Sequence, residues 1–400
     1  MDERRLGYHG WRVVGACGVG AFFATLPLNT FAVFLGPLCA EFSWSREAAS
    51  SAFGVLTLMA AVSAPVVGRL LDRVGARRLI VPCLAISGAA VVVLSRLSGS
   101  LWELRTIFGV LGLLMMGASP IAYSRAIFGW FTELRGRALG AMLTGAGLSG
   151  IVLPPVTARL IGAVGWRAAW VALGLGTLLV AAPVTAAFVR DRARPGADAA
   201  PVPGASAIEA LRSRVFWTLT AVVFAGTMAS NGVLVHVVAL LGDRGVPAAR
   251  AALVVSAMGG ASLLGRLVTG WLLDRFEPAR VSAALLTVAA LGTFALSGAR
   301  SLETAALAGL GIGFGAGGEV DVIPYLLARH FGARAQSTLY GLTWTAWGVS
   351  GALGPVVMGR AFDATGAYTT TLVEFGIVTL ASAGLMLTLP ARDSARESYR

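Results

Sequence analysis

The chain has 400 residues, of which 56% are hydrophobic and only 13% are charged. A soluble domain carries about a quarter charged residues, so this composition excludes an ordinary water-soluble protein. The formal charge of +12 comes from 32 arginines and no lysine. Because these arginines lie between apolar runs and not in a patch with interleaved aromatic residues, we do not expect nucleic-acid binding.

Apolar runs of about 20 residues follow one another along the chain, and each can cross a hydrocarbon layer about 30 Å thick. They predict an all-α membrane protein with twelve spans, numbered in chain order: Trp11–Leu35, Ser50–Leu71, Leu79–Leu97, Leu101–Tyr123, Ala138–Ala163, Trp166–Val189, Val215–Leu241, Ala251–Leu273, Val281–Leu296, Thr304–Leu327, Leu339–Met358 and Tyr368–Leu389. The first run is too long for a signal peptide, so we expect it to be retained as span 1.

A polar stretch between spans 6 and 7 divides the chain. It predicts an N-terminal six-helix bundle over residues 1–189, a cytoplasmic linker over 190–213 and a C-terminal six-helix bundle over 214–400. The stretch contains Pro195-Gly196 and Pro203-Gly204, which are typical of a linker. It ends in Ser206-Ala207-Ile208-Glu209, a pattern that predicts a capping box and a short helix before span 7.

The arginines are unevenly divided between the loops. With the N-terminus inside, 22 fall at cytoplasmic ends and nine at outer ends, and Arg266 lies within the membrane. Arginine-rich loops stay in the cytoplasm, so this distribution predicts a multi-pass protein of the bacterial inner membrane with both termini in the cytoplasm.

The two halves repeat each other. Gly68–Arg73 recurs as Gly270–Arg275, 202 residues later. Three further pairs are 200 or 201 residues apart: Phe131 and Phe331, Gly140 and Gly341, Pro155 and Pro355. A duplicated six-span unit predicts two pseudo-symmetric bundles with a substrate site at their interface.

The loop after span 2 has the pattern G-x-x-x-D-R-x-G-x-R-R, carried by Gly68, Asp72, Arg73, Gly75 and Arg77-Arg78. It resembles the signature loop of the major facilitator superfamily. In that loop we expect the small residue to let two helices approach closely, and the aspartate to hold an opposing group in one conformation and release it in another.

The second copy of the loop has Gly270, Asp274 and Arg275 but continues as Phe276-Glu277-Pro278. We therefore expect a weaker lock there. Together the two copies predict the conformational gating residues: Gly68, Asp72, Arg73, Gly75, Arg77, Gly270, Asp274 and Arg275.

A narrower resemblance is to the monocarboxylate transporter-like branch, including its oxalate/formate-type members. It is carried by three segments: Tyr8–Trp11 at the start of span 1, Gly36-Pro37-Leu38 with Glu41–Arg46 after it, and Trp130-Phe131 with Arg135–Gly140 before span 5. The resemblance implies a secondary transporter that works by alternating access, without a cofactor.

Arg266 is the strongest site candidate. A charge inside a span is expensive, so such residues usually face a cavity, and an arginine can bind a carboxylate with two hydrogen bonds. The resemblance implies a carboxylate anchor at this position. Animal members have an aspartate four residues earlier, where this chain has Ser262, which is a further candidate for substrate binding. Oxalate-type members also carry a lysine in span 11, and a chain with a single cation favours a monoanion.

Other polar residues in the spans complete the predicted site. Asp243, Glu319 and Asp321 are candidates for proton coupling, because a carboxyl group deep in a membrane suits a proton carrier. Asn29, Tyr123 and His236 are candidates for hydrogen bonds to the substrate, and Trp344 with Trp347 for an apolar wall. Each of these residues is also compatible with helix packing or, for Asp243, with a solvated rim.

We thus expect a monomeric transporter, not an enzyme, that moves a small organic anion and H⁺ across a lipid bilayer. The alternative is efflux of larger apolar or drug-like compounds on the same fold. A membrane sensor or enzyme is a third reading, but the sequence has no nucleotide loop or nucleophile–base set to support it. The scattered Cys17, Cys39 and Cys83 and the three histidines predict neither a disulfide nor a metal site.

Overall fold

The computed structural model describes residues 8–131, 134–190, 205–273, 275–332 and 336–390, and these are almost entirely helical. Inside the helices it omits the side chains at positions 65, 68, 69, 72, 121, 128, 135, 136, 320, 321, 336 and 337. Most of the predicted linker, 191–204, lies outside the described residues.

The first half contains spans 1 to 6. Span 1 is His9–Ala24 with Leu26–Phe42, span 2 is Arg46–Val74, span 3 is Ala76–Val93, span 4 is Leu101–Met115 with Pro120–Phe128, and spans 5 and 6 form one stretch, Arg135–Gly176 with Thr177–Ala181 and Ala182–Phe188. Gly165, at φ 79°, divides this stretch into spans 5 and 6, because glycine tolerates a positive φ that other residues avoid.

The second half contains a short helix and spans 7 to 12. The short helix is Ala207–Arg212, span 7 is Arg214–Asp243, span 8 is Ala248–Leu273, span 9 is Pro278–Gly298, span 10 is Leu302–Phe331, span 11 is Gln336–Thr365 and span 12 is Thr369–Met386. Ser206 and Glu209 form both hydrogen bonds of a capping box, which confirms that prediction.

Ten of the described helical stretches are long and apolar enough to cross a membrane. The stretch Arg137–Phe188 counts once among them although it is 52 residues long. At 1.5 Å per residue this is far more than one crossing needs, and its kink at Gly165 makes it two. Span 11, Gln336–Thr365, is not among the ten, but its 30 residues are long enough to cross a bilayer. Counted with the two halves of the long stretch, it completes the predicted twelve spans.

The lipid-facing surface is apolar. Leu179, Trp217 and Leu267 are among the large hydrophobic side chains that stay exposed. In water such a surface would favour aggregation, whereas in a bilayer it contacts lipid tails of the same polarity. The protein is therefore built to be surrounded by lipid along its spans.

The two ends of the bundle differ. We call the end where span 2 begins the Arg46 end and the opposite end, where span 8 finishes, the Arg275 end. Toward the Arg275 end, one buried cluster holds first-half residues alone and another holds second-half residues alone. Toward the Arg46 end, Ala32, Ala158 and Val235 pack into clusters made mainly by the other half. The described halves therefore share a core at the Arg46 end and have separate cores at the Arg275 end.

A candidate substrate cavity between the halves

A cavity of about 240 Å³ lies where spans 7, 8, 10 and 11 of the second half meet spans 1 and 5 of the first. Its described polar lining consists of Asn29, Thr227, Ser230, Asn231, Ser262, Glu319 and Thr343. Its described aromatic lining consists of Tyr340, Trp344 and Trp347. A mostly apolar pocket with a few convergent polar groups is the usual form of a small-molecule site.

The glycine run of span 10 packs this span against its neighbours in the second half. Glycines four residues apart lie on one helix face, and Gly309, Gly313 and Gly317 all press against span 8. Gly311 and Gly315 do the same against span 9. Small residues allow membrane helices to approach closely, so this run lets span 10 pack tightly between spans 8 and 9, and spans 8 and 10 both line the cavity.

Glu319 is the ionisable side chain among the described cavity residues. It is 7% exposed, and its Oε1 has no hydrogen-bond partner among the described groups. A Cβ placed on Gly226 of span 7 would lie 2.6 Å from Oε2, so this glycine makes room for the carboxyl group. Because Glu319 also lines the cavity, its unpartnered oxygen is available to a ligand, to water or to a proton.

Arg266 does not line the cavity. It is half-buried and follows the cavity residue Ser262 by four positions, or one helical turn. No hydrogen bond or ion pair joins its guanidinium to a described group; the side chains of Asp72, Asp274 and Asp321 are not among these. Helical side chains tilt toward the N-terminus of their helix, so Arg266 has the reach to approach the level of Ser262.

Three other predicted residues line the cavity, and the side chain of a fourth is not described. Asn29, Ser262 and Trp344 all line it. The side chain of Asp321 is not described. The prediction missed Asn231, which lines the cavity from span 7; the signal was available, because Asn231 lies 202 residues after Asn29.

Two residues predicted to contact the substrate lie elsewhere. Tyr123 is fully buried in the core of the first half, and a Cβ on Gly20 would clash with its hydroxyl oxygen. His236 is fully buried, and its Nδ1 and Nε2 lie 3.0 Å from the Tyr368 hydroxyl and 2.9 Å from the Pro355 carbonyl. Both side chains are enclosed by protein and neither lines the cavity, so the structure does not place them in the predicted site. The Tyr123 hydroxyl, like Glu319 Oε1, has no hydrogen-bond partner among the described groups.

Asp243 closes the Arg46 end and does not reach the cavity. Its two carboxylate oxygens each accept a hydrogen bond of 2.6 Å from Arg46 in the other half. Arg46 also donates to the Tyr368 hydroxyl at 2.6 Å and lies over the Phe362 ring. The carboxylate of Asp363 accepts the backbone N–H groups of Arg46 and Glu47. A carboxylate engaged in this way is a structural tie, so proton coupling is no longer our assignment for Asp243.

Comparisons with known proteins agree with this architecture. Residues 17–355 match the family model described as Major Facilitator Superfamily. The chain belongs to the major facilitator superfamily.

Relatives and solved structures narrow the assignment. Monocarboxylate transporter 13 of Bos taurus is 26% identical, with 95% of this chain and 89% of that protein covered. Human monocarboxylate transporter 11 is 31% identical over 65% of this chain and 58% of its own length. A crystal structure of a bacterial homolog of the human lysosomal transporter Spinster, in an inward-facing and occupied conformation, superposes with a TM-score of 0.77 at 16% identity over 96% of this chain and 97% of that one. The fold is therefore that of the superfamily, and the protein is a membrane transporter and not an enzyme.

The superfamily loop is described in part. Gly75 ends span 2 at φ 85°, a conformation that favours glycine and allows the tight turn into span 3. Arg73 and Arg77 are exposed, and Asp274 and the side chain of Asp72 lie outside the described residues.

In the second copy, Arg275 lies over the Trp271 ring, 4.2 Å from its centre. A Cβ on Gly270 would meet nothing within 4 Å. Among the described residues, no helix approaches Gly270 closely, and the two halves have separate cores at this end.

Proposed function

We propose that this transporter carries a small organic monocarboxylate together with a proton, by alternating access. The relatives named monocarboxylate transporters support the substrate class. The volume of the cavity, about 240 Å³, also supports a small substrate, because sites for drug-sized ligands span roughly 300–1,000 Å³.

The observation that carries the proposal is the position of Arg266. A half-buried guanidinium inside a span, one turn from the cavity and without a described partner, needs an anion. A substrate carboxylate would supply it through two parallel hydrogen bonds. Because Arg266 lies beyond Ser262 on the side of the Arg275 end, the carboxylate would lie at that side of the cavity.

Glu319 is our candidate for the proton carrier. A protonated carboxyl group adds no charge to the cavity and can donate a hydrogen bond, whereas an ionised one would face the substrate carboxylate with a like charge. Protonation of Glu319 would therefore favour binding of the anion beside Arg266, and the bound anion would in turn favour protonated Glu319. Asp321 stays a second candidate.

The orientation follows from the arginine distribution. With both termini in the cytoplasm of a bacterium, the Arg46 end is the outer end and this structure is the inward-facing conformation. The bundles 1–189 and 214–400 would then rock about the cavity as one monomer, and residues 190–213 would link them in the cytoplasm.

The proposal is tested by uptake of radiolabelled monocarboxylates into proteoliposomes, with and without a pH gradient that is acidic outside. We expect a gradient-driven flux that falls more than tenfold in Arg266→Ala, since a lost charge-assisted bond contributes about 1.5–3 kcal/mol. Arg159→Ala is the matched control, because Arg159 is an exposed arginine of span 5. Equal flux by Arg266→Ala and the wild type would contradict the anchor role.

Efflux of larger apolar compounds is the second candidate, and one observation favours it. No basic side chain lines the described part of the cavity, whereas Tyr340, Trp344 and Trp347 form an aromatic wall beside Glu319. A bacterial strain that overproduces the transporter would then resist several apolar toxic compounds, with resistance lost in Glu319→Gln but kept in Arg266→Ala. The monocarboxylate proposal instead predicts no such resistance in the wild type and a loss of monocarboxylate flux in Arg266→Ala.

A further inference from the structure

A polar element of the cavity is duplicated. Asn29 in span 1 and Asn231 in span 7 are 202 residues apart, which matches the internal repeat. The same repeat relates two G-x-S-G segments 201 residues apart, Gly147–Gly150 in span 5 and Gly348–Gly351 in span 11. Each half therefore carries one asparagine and one Ser-Gly pair at equivalent positions.

The structure brings each asparagine to the Ser-Gly pair of its own half. The Asn29 Nδ2 donates to the Ser149 hydroxyl at 3.0 Å, and its Oδ1 would lie 3.6 Å from a Cβ on Gly150. The Asn231 Nδ2 would lie 3.0 Å from a Cβ on Gly351. Both amides line the same cavity, one from each half.

The two glycines are also the points where the halves touch. Gly150 packs on Gly259 of the second half, and Gly351 packs on Thr57 of the first. Each amide thus lies beside a contact between the halves, so a ligand held by both amides would bridge the halves at the level where they meet.

Both amides keep hydrogen-bonding capacity for a ligand. A side-chain amide offers two N–H donors and one acceptor oxygen. Asn29 uses one donor on Ser149, which leaves a donor and the oxygen. The side-chain amide of Asn231 forms no hydrogen bond with any described residue. Polar groups at a cavity wall normally find a partner in water or in a ligand.

We propose that Asn29 and Asn231 together bind one uncharged polar group of the substrate, such as a hydroxyl or keto oxygen, and so couple its binding to the approach of the two halves. The inference rests on the proposed function, in which Arg266 binds the carboxylate. Asn29 and Asn231 are then binding residues that select among monocarboxylates, and Ser149 positions Asn29.

The test compares two three-carbon probes, L-lactate and propionate, which differ in one hydroxyl group. Dissociation constants come from quenching of tryptophan fluorescence in detergent, since Trp344 and Trp347 line the cavity. The wild type should bind lactate more tightly. Asn29→Ala and Asn231→Ala should each weaken lactate binding about 3- to 10-fold, the effect of one hydrogen bond, and leave propionate binding within twofold.

The repeat offers a matched control. Ser149→Ala should weaken lactate binding about twofold, because Asn29 loses its orienting partner. Ser350→Ala should not, because the Ser350 hydroxyl donates to the Trp347 carbonyl of its own helix at 3.0 Å. Equal losses for lactate and propionate in both asparagine variants would overturn the proposal, because they would show a general loss of structure.

Failure of the proposed function gives a different result. If the wild type binds neither acid, the monocarboxylate assignment falls, and the same variants are measured with chloramphenicol, an uncharged compound with hydroxyl and amide groups. Weaker chloramphenicol binding in Asn29→Ala and Asn231→Ala, with Ser350→Ala unchanged, would support the amide pair alone. Binding unaffected by either asparagine, or no binding of any probe, would overturn it.

Discussion

The two halves meet at two crossings that the internal repeat relates, and these crossings are built differently. In the first, which we call the glycine crossing, Gly150 of span 5 packs on Gly259 of span 8. In the second, the threonine crossing, Gly351 of span 11 packs on Thr57 of span 2. The positions correspond at offsets of 201 and 202 residues, so one pair has glycine where the other has threonine.

An ion pair and several hydrogen bonds also join the two halves between the threonine crossing and the Arg46 end. Arg46 at the start of span 2 pairs with Asp243, and the backbone of Arg46 and Glu47 donates to Asp363 of span 11. The Ser50 hydroxyl contacts the Pro355 carbonyl at 3.2 Å. No comparable hydrogen bond or ion pair joins spans 5 and 8 in the part of the chain that the structure describes.

Under the proposed rocking motion, this difference would separate two tasks of the transporter. Backbone contacts between glycines are non-directional and let helices approach and slide, whereas ion pairs and hydrogen bonds favour one arrangement and are lost when it opens. The repeat supplied two equivalent crossings. Under that proposal, the ion pair and hydrogen bonds of the threonine crossing act as the lock, and the glycine crossing is a close contact.

The largest effect is expected at the glycine crossing. A Cβ on Gly259 would lie 2.8 Å from the carbonyl carbon of Gly150, closer than two packed atoms tolerate. Gly259→Ala should therefore force the halves apart at the Arg46 end. Overpacking costs about 1–3 kcal/mol, and we expect transport to fall by about tenfold or more.

The neighbouring glycine provides the control for this prediction. A Cβ on Gly260 would have its nearest neighbour, Ile151, at 3.7 Å, so Gly260→Ala should keep transport. Opening is measured as the distance between spin labels on the exposed Arg96 and Arg300, one in each half at this end, in a variant without native cysteines. An unchanged distance in Gly259→Ala would refute the claim that this glycine pair limits closure.

The sequence predicted the helices and their internal repeat more completely than the contacts between the two halves. The twelve spans, their repeat and the Ser206–Glu209 capping box follow from local patterns, and these carry most of the fold. The sequence also placed Asn29, Ser262 and Glu319 in spans that line the cavity.

Local sequence patterns missed the contacts between residues that are far apart in the chain. Asp243 looked like a proton carrier, because its partner Arg46 lies 197 residues away and becomes a neighbour through the folding of both halves. Tyr123 looked available for a substrate, because a helix pattern does not say which of its faces meets the cavity. The two halves can pack together at one end of the bundle or at the other, and the two arrangements have similar free energies. The periodicity of hydrophobic residues does not indicate which of them is adopted.

An intermediate effect is expected at the ion pair of the threonine crossing. The Arg46 and Asp243 side chains are 19% and 37% exposed, and an exposed pair contributes at most about 1 kcal/mol. Asp243→Asn should shift the population at the Arg46 end toward the open form by roughly fivefold. Raising the salt concentration should weaken closure in the wild type and have less effect in Asp243→Asn, because salt screens partly exposed charges.

The same spin-label distance measures this shift. Arg360→Ala is the matched control, since Arg360 is an exposed arginine near the same end of span 11. If Asp243→Asn and Arg360→Ala gave the same distance distribution at low salt, the ion pair would not be part of the lock.

The smallest effect is expected at Ser50. Its hydroxyl lies 2.6 Å from the Arg46 carbonyl one turn earlier and 3.2 Å from Pro355 across the crossing, so the interhalf contact is the weaker of the two. Ser50→Ala should open the Arg46 end about twofold, at the low end of a hydrogen bond's net contribution. Ser51→Ala, which removes the acceptor of Arg105 within the first half, should leave the distance unchanged. A larger effect from Ser51 than from Ser50 would mean that closure depends on order within the first half, and the separation of lock from close contact would then fail.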